Sequence, residues 1–89
     1  MELSKILSTK GAKWNFELTK REQEYFLAEC GFTDEEAEIF KLRCRGKTVL
    51  QTSFDMEEKF RGNLPDGVYS CKRVEGKIKS IKRKMLKVI

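Results

Sequence analysis

Residues 70–89 read SCKRVEGKIKSIKRKMLKVI, and this stretch decides the fold. Val74, Ile78, Ile81, Met85 and Val88 recur at intervals of four and three, the spacing that lines apolar side chains along one side of an α-helix. Lys72, Gly76, Lys79, Arg83 and Lys87 fall opposite them, while Lys77, Lys82 and Lys84 flank the apolar stripe. Ser70 is a fitting N-cap, because its hydroxyl can accept from a backbone N–H of the first turn. A helix running from just after Ser70 to near Ile89 is therefore predicted. Its charge is lopsided: eight of the 19 Lys and Arg lie here, against Glu75 alone of the 14 Asp and Glu. The whole chain carries only +5, so its basic excess belongs to this one segment.

Before that helix, Arg61-Gly62-Asn63-Leu64-Pro65-Asp66-Gly67 reads as a loop, since Pro-Asp-Gly is a strong turn former. Earlier still, a Thr-x-x-Glu/Gln box recurs three times, each followed by apolar residues at helical spacing. Thr48-Val49-Leu50-Gln51 opens a short helix toward Phe60, with Val49, Leu50, Phe54 and Met56 as its expected buried side. Thr33-Asp34-Glu35-Glu36 opens a second. Its acidic first turn complements the positive end of the helix dipole, and Lys41, Arg43 and Arg45 complement the negative end before Gly46 stops it. Ala37, Ile39, Phe40, Leu42 and Cys44 form its apolar side. Thr19-Lys20-Arg21-Glu22 opens the third box, followed by Tyr25, Phe26, Leu27 and Cys30 and closed by Gly31. The expected architecture is all-α: a small bundle of about four helices within residues 17–89. Residues 1–16 read as an N-terminal arm anchored by Trp14 and Phe16.

Eighty-nine residues make one domain at most and leave no room for a deep catalytic cleft. There is no histidine, no Gly-rich phosphate loop and no nucleophile with an evident base, so no enzyme and no cofactor are expected. Cys30, Cys44 and Cys71 are widely spaced, without a C-x-x-C pair, which argues for reduced core thiols rather than a metal site. No apolar run is long enough to span a membrane or to serve as a secretory leader, so a cytoplasmic protein of a bacterial cell or a phage-infected host is expected. Membrane-surface binding is disfavoured because the apolar side of the last helix carries no Trp or Phe.

Three capped helices followed by a basic one is the layout of a helix-turn-helix domain. The run Phe32-Thr33-Asp34-Glu35-Glu36, then Ile39-Phe40, Leu42-Arg43, Gly46-Lys47-Thr48 and Val49-Leu50, resembles region 4 of bacterial sigma factors and the related domain of LuxR-type regulators. The segment Ser70 to Met85 is similar to their recognition helix, with Val74 and Ile78 at its buried positions. Small stand-alone phage or prophage sigma-like proteins are the nearest type, with Leu18 to Cys30 as an extra leading helix. The chain departs from the family in an enlarged turn, Glu57 to Tyr69, and in Glu75 and Gly76, where basic residues are usual.

The resemblance implies a sequence-specific regulator of double-stranded DNA whose C-terminal helix enters the major groove. Ser70, Lys72, Arg73 and Lys77 are then the candidates for base edges and nearby phosphates, and Arg can discriminate guanine by about 1–3 kcal/mol. Lys79, Lys82 and Arg83 would grip backbone phosphates, which position the protein without specifying sequence. Lys47 and Thr48, at the start of the scaffold helix, resemble the family's backbone contacts. The alternative is a protein-binding module on the same frame, directed at RNA polymerase, a host nuclease or a defence complex. Leu64 and Tyr69 in the enlarged turn would then be its contact residues. Leu86, Val88 and Ile89 are candidates for a homodimer contact.

Overall fold

The local signals for helix starts are all realised. In the computed structural model, which describes residues 18–64 and 66–88, four α-helices follow one another: α1 Lys20–Glu29, α2 Asp34–Cys44, α3 Val49–Lys59 and α4 Cys71–Val88. A 3₁₀ turn, Arg61–Asn63, lies between α3 and α4. Thr19, Thr33 and Thr48 each accept from the N–H three residues on, and Glu22, Glu36 and Gln51 reach back to the threonine N–H groups at 2.9–3.0 Å. Ser70 caps α4 by accepting from the Arg73 N–H at 3.1 Å. Gly31 and Gly46 hold φ of 64° and 83°, the left-handed turn that lets α1 and α2 stop sharply. The arm with Trp14 and Phe16, and Ile89 at the far end, lie outside the described residues.

The molecule is the expected small all-α bundle. α4 is its hub, packing against α2, α3 and α1. Val74, Ile78, Ile81 and Met85 are fully buried, so the stripe read from the sequence is the inner face of α4. They meet Phe26 of α1, Ile39, Phe40 and Leu42 of α2, and Met56 of α3. Phe40 sits edge-on to Phe26, with ring centroids 6.3 Å apart, and 5.2 Å from Phe32. Gly76 does not interrupt α4, which runs unbroken for 18 residues, roughly 27 Å at 1.5 Å per residue.

α3 differs from its expected orientation. Thr52, Ser53 and Met56 face inward with half-buried Val49, whereas Leu50 and Phe54 stand 55% and 61% exposed. Val49, Thr52, Ser53, Met56 and Phe60 share one helical side, and Leu50 and Phe54 lie roughly 120° around it. The small Ser53 is what α4 needs at this point: the Cys71 thiol donates to its Oγ at 3.6 Å, while that hydroxyl donates to the Leu50 carbonyl at 2.7 Å. A leucine or phenylalanine there would hold the two helices apart.

The segment between α3 and α4 is mostly exposed but is pinned to the core at Leu64 and Tyr69. Leu64 and Tyr69 are 9% and 2% exposed, so neither offers the contact surface expected of them. The Tyr69 N–H donates to the Glu57 carboxylate at 3.2 Å and its phenol to Glu35 at 2.8 Å. Among the described residues no helix is long and apolar enough to cross a membrane.

Candidate nucleic-acid interface

α4 carries eight cationic side chains, and its neighbours sort them into two sets of four. Lys72, Lys79, Arg83 and Lys87 are exposed and make no hydrogen bond or ion pair among the described residues. At 100° per residue they share one open arc with Glu75, Gly76 and Leu86, which are also exposed. Along the axis the cations stand roughly 10, 6 and 6 Å apart.

The other four lie toward the packed edges of α4, and three of them, Arg73, Lys82 and Lys84, are held there by partners or burial. Arg73, though exposed, donates to Glu35 at 3.0 Å and lies over the Tyr69 ring, 4.7 Å from its centroid, so it is tethered to α2. It forms part of the wall of a cleft of about 280 Å³ that opens between the start of α2 and the 3₁₀ turn. Lys77 is half-buried on the same edge, where its charge helps to lower the Glu35 pKa. Lys84 is bonded to Glu36, and Lys82 is only 5% exposed. The expected phosphate contact at Lys82 is thus corrected: burial, then the nearby Arg43 charge, lower its pKa. Position 82 lies roughly 80° from Val74 around the helix, still inside the sector covered by the bundle.

Two glutamates in the first turn of α2 organise this sorting. Glu35 accepts from Tyr69 and Arg73, and Glu36 accepts from Ser80 at 2.6 Å, from Lys84 and from the Thr33 N–H. Burial alone would raise the Glu36 carboxyl. The bonds from Lys84, Ser80 and Thr33 and the Lys84 charge outweigh it and bring it from 4.5 to about 2. At Glu35, burial is likewise outweighed by Tyr69, Arg73 and Lys77, leaving its pKa lowered. Glu38 is tied to Lys59 of α3 at 2.9 Å. The acidic run from Asp34 to Glu38 reads in the sequence as helix capping. Only the opposite charge of residues 70–89 hinted that it would also bind across helices.

The remaining candidates are placed less favourably. Ser70 is exposed, but its hydroxyl is committed to capping. Lys47 pairs with Asp55 at 3.7 Å, and the Thr48 hydroxyl caps α3. Leu86 is 40% exposed, whereas Val88 is half-buried and its carbonyl accepts from the Tyr25 hydroxyl at 3.0 Å. The three cysteines are free and half-buried, and burial pushes the Cys44 thiol up to about 12. Among the described residues no group of three metal-binding side chains converges. No protein-family model matches the chain, and no match is found among curated proteins or solved structures.

Proposed function

We propose that this chain is a non-enzymatic, cytoplasmic, double-stranded DNA-binding protein, a transcriptional regulator or sigma-like factor, that lays the outer arc of α4 in the major groove. The observation that carries this reading is the open arc itself. Four cations stand on one side of an unbroken helix, with no carboxylate among the described residues engaging them. Unneutralised charge at this density favours a polyanion, and phosphate contacts release condensed counterions. Lys72 and Ser70 lie where the first turns of α4 would meet the groove, and Lys79, Arg83 and Lys87 follow toward the phosphates.

Fluorescence anisotropy with a random 20-base-pair duplex tests the reading. Four phosphate contacts predict a log–log salt slope near −3.6, so affinity should fall roughly a hundredfold between 50 and 200 mM salt. Micromolar or weaker binding with a flat slope would overturn it.

A second reading has its own observation. Leu50 and Phe54 stand four residues apart on the outer side of α3, more exposed than any other large apolar residues of the described chain. They suit a protein partner, RNA polymerase included, and replace Leu64 and Tyr69 as the residues on which that alternative rests.

A further inference from the structure

Nothing among the described residues accounts for a glycine at position 76. Gly31, Gly46 and Gly67 each hold a positive φ that favours glycine, and Gly62, without one, lies in the 3₁₀ turn rather than within an α-helix. Gly76 instead has ordinary helical backbone in the interior of α4, is exposed, and a Cβ built on it would meet nothing within 4 Å. Glycine weakens a helix interior relative to alanine, yet neither backbone conformation nor packing among the described residues asks for it here. The missing side chain leaves the helix backbone open at this point to a partner that must come close to it.

The charges around it indicate what that is. Glu75 is exposed and takes part in no hydrogen bond or ion pair among the described residues. It stands at the same height on the open arc, where it would repel a phosphate and welcome a hydrogen-bond donor. Lys72 lies one turn before this level, and Lys79 and Arg83 lie one and two turns after it. An acceptor and a bare stretch of backbone thus lie between Lys72 on one side and Lys79, Arg83 and Lys87 on the other. A major groove is built the same way: phosphates along its walls, and between them base edges that present amino donors on cytosine and adenine. A helix about 10–12 Å across fills a groove about 12 Å wide, so removing one side chain from the leading face lets it sit deeper.

We propose that Glu75 and Gly76 form the base-reading centre of the DNA interface, with Gly76 admitting the groove floor to the helix backbone and Glu75 accepting from a cytosine or adenine amino group. This rests on the DNA-binding reading, and moves sequence discrimination away from Arg73 and Lys77 to the two residues that depart from the basic pattern.

The test uses the full chain, a duplex enriched from a random pool on the wild-type protein, and an unselected random duplex. Gly76→Ala should raise the melting temperature by roughly 4–8 °C. It should also weaken binding to the selected duplex at least tenfold while changing binding to the random duplex less than twofold. Glu75→Gln should alter the base preferred at one position of the enriched sequence. A Gly76→Ala protein that keeps wild-type affinity for the selected duplex overturns the proposal and leaves DNA binding intact, as does a pool that yields no consensus. Absence of salt-dependent binding to the random duplex by the wild type overturns the DNA reading, and this proposal with it.

Discussion

Lys79 and Lys84 sit five residues apart on the same helix with the same chemistry, yet they belong to different parts of the molecule. Lys84 lies on an edge of α4 that the bundle covers, bonded to a buried carboxylate, Glu36. Lys79 lies on the outer arc, in water, with no partner among the described residues. The packed edges of α4 spend their charge on positioning the helix, and the outer arc retains its charge for something else. A net charge counted along a sequence cannot separate these two uses, because carboxylates 30 to 50 residues away decide which cations are neutralised.

The sharpest way to break this comparison is at Glu36. Glu36→Ala removes the buried acceptor of Lys84 and Ser80 together with half of the α2 capping box, and should cost about 3 kcal/mol in urea denaturation. Because the folded Glu36 carboxyl is brought down to about 2, its contribution is fully present above the unfolded value near 4.5. It is lost as pH falls from there toward 2. Acid titration of stability should therefore be steep in that window and visibly flatter in Glu36→Gln.

A smaller effect sharpens the other side of the comparison. Lys79→Ala and Arg83→Ala should each flatten the log–log salt slope of DNA binding by about 0.9 while leaving the melting temperature unchanged. Arg73→Ala should do the reverse, with no change of slope and a loss of less than about 1 kcal/mol, since its ion pair with Glu35 is partly exposed. Equal slopes for Arg73→Ala and Lys79→Ala would erase the distinction between the two sets. The smallest effect is expected on α3. Leu50→Ser and Phe54→Ser should alter stability by less than about 0.5 kcal/mol, measurable by thermal unfolding, because both side chains are already in water.

Much of the fold was legible because its signals are local. The capping boxes at Thr19, Thr33 and Thr48, the Ser70 cap and the stripe from Val74 to Met85 depend on residues three or four apart, and each appears as read. α3 was misread because Thr52 and Ser53 look polar in isolation. Their burial follows from how closely α4 approaches at Cys71, which no local pattern encodes. Tyr69 and Leu64 were misplaced on the surface for the same reason: a turn-rich segment carries no sign that Glu35 and Glu57 will tie it down.

By itself, then, the chain's sequence determined four capped helices and one amphipathic rod bearing the basic excess, since helix starts and helix faces obey short-range geometry. Only the tertiary structure decided which of that rod's cations stay in water, which way α3 turns, and that no described residue packs over Gly76. Those outcomes depend on partners far away in sequence, and burial and charge pairing are set where elements meet in space.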